Sequence, residues 1–320
     1  SDVCSSDLLC GSHLHLSGER LMMRPVVAVI VALVLFAAIV SEAAPQKYVT
    51  TPFGQWPAEC VHGVEPGAIV RNEGTSRFRI ISAEGEEQLK PACNHFVGSG
   101  APKAPSKELD GWQVWTKEAI GNVTQFLGTW NVPPNPDESA QTLFLFTGMQ
   151  NIDWVPPNPE PTQAFDIIQP VLQYGYSAAG GYDGWSIASW YVTLGNDVVY
   201  STLKKVKTGD VIFGNMSKTG DDSWYISTVD VTSQIVSDFT IQRSILATQP
   251  WIYVTLEVYD VDTCAQYPPT GSSCEFTKLS MEQNFQKREV PFKWQMLSQD
   301  TSCGQHIATT DAGDEVIITF

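Results

Sequence analysis

Short runs of alternating apolar and polar residues recur from Trp112 to the end of the chain, separated by glycine, proline, asparagine and aspartate. A period of two is typical of strands with one buried face, and no long segment has the 3.6-residue period of an amphipathic helix. Strands are predicted at 113–117, 124–132, 142–149, 167–176, 185–192, 197–205, 210–216, 223–229, 239–246, 251–259, 290–296 and 315–320. Many short strands without an alignable repeat predict an all-β, antiparallel double-sheet β-sandwich rather than a propeller.

Two of these strands carry polar residues that suggest a site. Strand 251–259 has one aliphatic face, formed by Ile252, Val254, Leu256 and Val258. Its other face is aromatic and polar, with Glu257 as its only carboxylate. That face fits a substrate groove, although periodicity alone favours an ordinary solvent-facing glutamate. Strand 167–176 places Gln169 and Gln173 on one face, where glutamines are usually surface residues.

The chain divides into five segments. Residues 1–21 look like the translation of a sequencing adapter and untranslated leader, and are interpreted as non-native. Residues 22–44 have the basic start, apolar run and small-residue exit of a secretory signal peptide, and the run is short for a membrane span. Residues 45–98 are expected to form a small N-terminal module, 99–110 a linker and 111–320 the sandwich. An uncleaved anchor is the alternative to secretion into the extracellular space.

Composition limits the ligands that the chain can bind and the residue types that can act in catalysis. Nineteen basic residues against 35 acidic ones give a formal charge of -16, which opposes nucleic-acid binding. Five histidines leave little material for histidine triads or histidine-rich metal sites, so no metal and no cofactor is expected. Catalysis, if present, must use carboxylates and amides.

Five cysteines follow the signal segment, a pattern that fits an oxidising compartment. Cys264 and Cys274 flank a turn-rich loop, so we expect them to form a local disulfide. Cys60 and Cys93 are the next natural pair and would stabilise the N-terminal module, which leaves Cys303 unpaired. Asn122 and Asn215 begin sequons that can carry N-linked glycans in a secreted chain.

An ordered set of short motifs resembles the eqolisins, the glutamic peptidases, over about residues 111–320. The set is Asn131-Val132-Pro133, Gly148, Val171-Leu172-Gln173-Tyr174-Gly175, Tyr182-Asp183-Gly184-Trp185, Ser189-Trp190-Tyr191, Thr208-Gly209-Asp210, Val254-Thr255-Leu256-Glu257-Val258-Tyr259 and Cys274-Glu275-Phe276. The resemblance implies a concanavalin-like jelly roll, secreted and active in acid. It also implies that Gln173 and Glu257 are the catalytic pair. The residues expected to line the substrate groove are Tyr253, Tyr259, Trp185, Trp190 and Phe146.

Two departures bear on that resemblance. Residues 146–151 read Phe-Thr-Gly-Met-Gln-Asn, where the family has an acidic residue near its site. The proline-rich insertion at 153–161 is long for a connection between two strands, and is expected to cover the groove or contact a neighbour.

Two other functions remain open from the sequence. A glycosidase needs two carboxylates on one face, whereas Tyr259 occupies the position after Glu257 on that face. A catalytically silent glycoprotein would use the same sandwich for self-assembly, as a homo-oligomer or filament, or for binding a glycan or partner. The expected partner is therefore a peptide substrate or a segment of a neighbouring subunit.

Overall fold

A computed structural model describes residues 47–72, 77–91, 93, 110–155, 163–193, 197–288 and 290–320. All of them belong to one unit, Gln46–Phe320. The expected leader and signal peptide at 1–44 and the linker residues 99–109 lie outside the described residues. Among the described residues, no helix has the length and apolar character needed to cross a membrane.

The described chain is built almost entirely of strands. In order they are β1 Tyr48–Thr51, β2 Gly54–Pro57, β3 Val61–Val64, β4 Ala68–Asn72, β5 Arg77–Ile81, β6 Glu87–Pro91, β7 Gly111–Ala119, β8 Val123–Asn131, β9 Thr142–Gln150, β10 Asp166–Ser177, β11 Gly180–Thr193, β12 Val198–Ser201, β13 Lys204–Lys205, β14 Val211–Gly220, β15 Ser223–Asp230, β16 Ile235–Gln242, β17 Trp251–Tyr259, β18 Ser273–Gln283, β19 Gln286–Lys287, β20 Gln295–Ser298, β21 His306–Thr309 and β22 Val316–Thr319. Short 3₁₀ turns cover Ala58–Cys60, Ser244–Ala247 and Cys264–Gln266.

Two large sheets face each other, which confirms the predicted double-sheet sandwich. Sheet A has the order β20-β7-β17-β9-β10-β11-β12-β3, with β13 beside β11. Sheet B has the order β21-β22-β18-β8-β14-β15-β16-β4-β5-β6, with β19 beside β18. Neighbouring strands from 110 onward pair antiparallel. The hairpin β1–β2 is a separate two-stranded sheet.

The inner core lies between the two sheets and follows the alternation of the strands. The aliphatic face of β17 is fully buried there, as predicted, with Ile252, Val254, Leu256 and Val258. A second apolar cluster covers the opposite, outer face of sheet A, where Phe144, Tyr253 and Tyr259 lie. Sheet A is therefore buried on both faces, and only its inner face contacts sheet B.

Strands β3 to β6 belong to the two large sheets, whereas a separate module was expected for 45–98. Strand β3 pairs in parallel with β12 at the edge of sheet A, and β4 pairs in parallel with β16 in sheet B. Val70 and Phe78 join the inner core. A segment that supplies strands to both sheets shares their hydrophobic core and does not need one of its own.

The disulfides confirm one pairing and correct another. Cys60 is bonded to Cys93, as predicted. Cys264 is bonded to Cys303, and Cys274 is a free, buried thiol. The predicted bond between Cys264 and Cys274 is wrong because Cys274 belongs to β18, where it faces the inner core and its thiol lies 3.4 Å from the Asn131 carbonyl oxygen. The disulfide partner of Cys264 therefore lies beyond this loop in the chain, at Cys303.

Candidate active site

Gln173 and Glu257 lie on the same face of sheet A, on either side of one phenylalanine. Strand β9 runs between β10 and β17, and its Phe144 is the register partner of both Gln173 and Glu257. Directly paired residues point to the same face of a sheet, and two strand spacings separate the outer strands by about 9.6 Å. Phe144 belongs to the outer cluster, so both polar side chains lie on the outer face.

Most residues expected in the groove share this face. Phe146, Trp190, Tyr253 and Tyr259 all belong to the outer cluster. Trp185 does not: it lies in the inner core, with its ring 5.3 Å from that of Tyr174. Trp185 and Trp190 are five positions apart on β11, so strand alternation points them to opposite faces, and Trp185 faces sheet B together with its register partner Tyr174.

A bulge brings another aromatic residue beside Glu257. The register of β7 against β17 pairs Val114 with Leu256 but Trp112 with Glu257, so Gln113 is the additional residue. This extra residue turns Trp112 to the outer face, whereas regular alternation would have pointed it inward with Val114. Bulges often re-aim side chains next to functional sites.

Glu257 is fully buried, and its two carboxyl oxygens differ in their partners. Oε1 accepts the backbone N–H of Phe53 at 2.7 Å and the hydroxyl of Tyr259. Oε2 has no hydrogen-bond partner among the described residues. Removal from water raises the pKa of Glu257 to about 8, although the Tyr259 hydroxyl, the Phe53 N–H and the nearby Trp112 indole all act in the opposite direction. In this state the carboxyl group is neutral in acid.

The Gln173 side chain is turned toward the β10–β11 connection. Its Nε2 donates to the carbonyls of Gly175 at 2.9 Å and Gly180 at 3.0 Å, and its Oε1 accepts the hydroxyl of Ser177 at 2.8 Å. Gly175 has φ +82, and a Cβ there would lie 2.0 Å from the Gln141 carbonyl oxygen, so only glycine fits. Every donor of the amide is thus used within the chain.

The hairpin β1–β2 covers this face and contacts both sides of the pair. Phe53, at its tip, reaches Glu257 through its backbone N–H, and its ring stacks on Phe165 with centroids 4.6 Å apart. Thr50 accepts the backbone N–H of Ala178, in the connection that holds Gln173. Phe53 has φ 110, an unfavourable conformation for a residue with a Cβ, and such conformations concentrate at functional contacts.

The segment that follows β9 covers the other end of the face. Asp153 is paired with Lys117 at 2.7 Å and accepts the Tyr253 hydroxyl at 3.3 Å. Gln150, within the stretch that departs from the family pattern, donates to the Trp154 carbonyl at 2.8 Å. The expected cover by the proline-rich insertion holds for residues 153–155, while 156–162 lie outside the described residues.

The two sequons occupy different surroundings. Asn122 is exposed in the turn between β7 and β8, and its Nδ2 donates to Asn284. Asn215 is half-buried within β14 and accepts the Ser217 hydroxyl at 2.5 Å.

The sequence did not point to Phe53, Thr50 or Trp112 as parts of the site. Phe53 and Glu257 are 204 positions apart, and short-range patterns carry no information about such contacts. The bulge at Gln113 also gives no turn signal. A positive φ at Phe53 has no sequence signature either, since glycine or asparagine would be the usual residue there.

Comparison with known proteins finds structural likeness only. No protein-family model matches the sequence, and no curated protein matches it. The crystal structure of scytalido-glutamic peptidase with a transition-state analogue inhibitor aligns with a TM-score of 0.47 and 14% identity, over 66% of this chain and 98% of that chain. SCP-B, a member of the eqolisin family, in complex with the tripeptide Ala-Ile-His, aligns with a TM-score of 0.43 and 14% identity over the same shares.

Proposed function

We propose that this chain is a secreted glutamic endopeptidase that its own β1–β2 hairpin holds in a latent state, and that acts in acid once the hairpin is displaced. The observation that carries the proposal is the placement of Gln173 and Glu257 around Phe144 on one face. A fully buried carboxyl with one unpartnered oxygen is unfavourable for stability, and such groups concentrate at functional sites.

Glu257 is the general base in this proposal. Displacing the hairpin readmits water, and because burial is the largest cause of the raised pKa, this outweighs the loss of the Phe53 N–H and lowers the pKa of the carboxyl group from about 8 toward its usual range. An ionised Glu257 then takes a proton from the attacking water and later returns it to the leaving amine. In the covered state the same group is neutral and has no water to activate.

Gln173 is the oxyanion donor. Its Nε2 currently serves the carbonyls of Gly175 and Gly180, in a connection that the hairpin holds through Thr50 and Ala178. Releasing the hairpin frees that connection and allows the amide to turn toward a substrate carbonyl. One preorganised side-chain donor contributes about 2.7 to 4 kcal/mol to an oxyanion transition state.

Protonation of Glu257 determines how the hairpin can leave. Because the pKa of Glu257 is about 8 under the cover and lower without it, opening releases a proton and becomes about tenfold harder for each pH unit of acidification below that value. Reversible opening is therefore suppressed in acid.

The hairpin pairs with neither large sheet, so cutting it away breaks no strand pairing in the sandwich. Activation by proteolytic removal of the hairpin is the route consistent with both facts.

A second candidate is the catalytically silent glycoprotein, whose outer face binds a chain segment as a structural element. The observation in its favour is that all hydrogen-bonding atoms of the Gln173 amide are satisfied in the covered state. A glycosidase is less suited, because the Tyr259 hydroxyl, rather than a second carboxylate, adjoins Glu257.

The secreted setting belongs to the same proposal. The bonds Cys60–Cys93 and Cys264–Cys303 suit an oxidising compartment. N-linked glycans at Asn122 and Asn215, a peptide substrate and homo-oligomer formation stay predictions.

Site-directed variants in a cleavable background test the proposal. A recognition site for a sequence-specific protease is inserted between Pro57 and Ala58, and the hairpin is cut and washed away at about pH 8, where its release is favoured. The cut chain should digest an acid-denatured protein. Glu257→Gln should abolish the activity and Gln173→Ala should lower kcat by about 10²–10³, both with the fold intact. Equal activity in the Glu257→Gln chain would contradict the proposal.

A further inference from the structure

Gln169 is another buried glutamine on the outer face, and its side chain has no hydrogen-bond partner in the part of the chain that the structure describes. It lies on β10 four positions before Gln173, and it is fully buried. Neither its Nε2 nor its Oε1 makes a hydrogen bond to any described residue. Its neighbours Ile167 and Val171 are in the outer cluster at alternate positions, which places Gln169 on the same face as the candidate pair.

The register partner of Gln169 also has a buried polar atom without a hydrogen-bond partner among the described residues. Trp190 pairs with Gln169 across β10 and β11, is fully buried in the outer cluster, and has an unpartnered indole Nε1. On the other side, β9 pairs Met149 with Ile168 and Phe146 with Val171, so the register sets Gly148 opposite Gln169. Gly148 contributes no side chain, so the position directly opposite on β9 supplies no functional group to the amide.

Gln169 differs from its two neighbouring glutamines on the outer face. Gln173 uses both ends of its amide, and Gln150 donates through Nε2 to the Trp154 carbonyl, although its Oε1 has no partner among the described residues. Native structures satisfy most buried polar groups, so an amide with both ends unused on a candidate binding face calls for an external partner.

The chemistry of the pair identifies the partner class. A carboxamide offers one acceptor and donor hydrogens, the complement of a peptide group, and an indole N–H adds one donor suited to a carbonyl. Neither group carries charge, so neither selects an ionic ligand. We propose that Gln169 and Trp190 form a subsite that binds the backbone of a polypeptide substrate. This inference rests on the proposed peptidase function.

The position of the subsite sets a length requirement. Four strand residues place Gln169 about 13 Å from Gln173. An extended peptide advances about 3.3 Å per residue, so a substrate must reach about four residues beyond the bond at Gln173 to use the subsite. Short peptides reach the candidate catalytic pair alone.

Peptide binding in a catalytically disabled chain tests the subsite separately from catalysis. The hairpin-cut Glu257→Gln chain is titrated calorimetrically with a capped neutral octapeptide and with the capped tripeptide from its centre. Gln169→Leu should raise the octapeptide Kd about tenfold, which corresponds to about 1.4 kcal/mol, and should leave the tripeptide Kd unchanged. Equal octapeptide affinity with and without Gln169→Leu would overturn the subsite, whatever the peptidase assay shows.

Matched variants exclude a purely structural effect. Gln169→Leu removes unsatisfied polar atoms from a buried position, so its Tm should not fall. Gln249→Leu is the control: Gln249 is also fully buried, but its Nε2 donates to Asp166 at 2.9 Å. This control should lower Tm and leave the octapeptide Kd unchanged. A fall in Tm for Gln169→Leu accompanied by equal weakening of both peptides would assign Gln169 a structural role instead. If the octapeptide binds as expected but the hairpin-cut chain with Glu257 intact cleaves nothing, the subsite stands and the peptidase proposal fails.

Discussion

Phe53 donates its backbone N–H to Glu257 Oε1 over 2.7 Å, although 204 positions separate the two residues. One hydrogen bond thus joins the tip of an N-terminal hairpin to the candidate catalytic carboxyl group. The same hairpin accepts a hydrogen bond at Thr50 from Ala178, close to the amide of Gln173. The hairpin therefore contacts the site on both sides, at Glu257 and beside Gln173.

The stability of the intact chain should decrease as the pH rises from acid to neutral. Burial raises the pKa of Glu257 from 4.5 to about 8 and that of Asp166 from 3.8 to about 7. Between each pair of values the folded chain retains a proton that the unfolded chain loses, so each group lowers the free energy of unfolding by about 1.4 kcal/mol per pH unit. Urea midpoints measured across this window check the slope.

Single variants separate the two groups in that experiment. Glu257→Gln should remove the part of the slope that extends to about pH 8, and Asp166→Asn the part that ends near pH 7. A stability that rises between these pH values in the unmodified chain would contradict the burial of both carboxyl groups.

The cysteine pairing predicts a protected thiol. Burial raises the pKa of the Cys274 thiol well above its usual value, so iodoacetamide should label Cys274 only after unfolding. Non-reduced peptide mapping should find Cys264 linked to Cys303. Cys303→Ser opens a bond with a sequence separation of 39 and should lower the free energy of unfolding by about 3 to 4 kcal/mol. Labelling of Cys274 in the native chain would count against the structure of β18.

Tyr259 should tune the ionisation of Glu257 in the hairpin-cut chain. Its hydroxyl donates to Glu257 Oε1, and a hydrogen bond to the charged form of a carboxylate lowers its pKa. Tyr259→Phe should therefore move the acidic limb of the kcat/KM pH profile upward by about one unit, with little change in Tm. An unshifted limb would mean that Tyr259 does not position this carboxyl group. Tyr253→Phe, which removes a hydroxyl bonded to Asp153 instead, is the matched control.

Local alternation was sufficient to predict the strands that have one uniform face. Strand β17 begins and ends where its pattern predicts, at Trp251 and Tyr259, and its aliphatic residues are buried as expected. Strand β18 was missed because its polar residues and two register shifts against β8 break the alternation. Trp185 was assigned to the wrong face although its odd spacing from Trp190 on one strand places the two on opposite faces. The partner of Cys264 was missed for a different reason, because it depends on a contact between segments 39 positions apart.

The shared face of the candidate pair could be predicted from the sequence, whereas the hairpin that covers it could not. A shared face for Gln173 and Glu257 was implied by resemblance and follows in the structure from their common partner Phe144. The hairpin that closes this face lies at the other end of the chain, and nothing in Tyr48–Thr51 or Gly54–Pro57 identifies its target. Its contacts are tertiary, and they depend on a backbone conformation at Phe53 that residue type does not predict.

The most direct test of the account is the rate of peptide-bond hydrolysis in acid by one preparation before and after the cut between Pro57 and Ala58. We expect a negligible rate for the intact chain and a large increase after the hairpin is cut and removed. No such increase should occur with Glu257→Gln. No gain of activity in a cut chain that remains folded and free of the hairpin would contradict a latent peptidase and favour the catalytically silent glycoprotein.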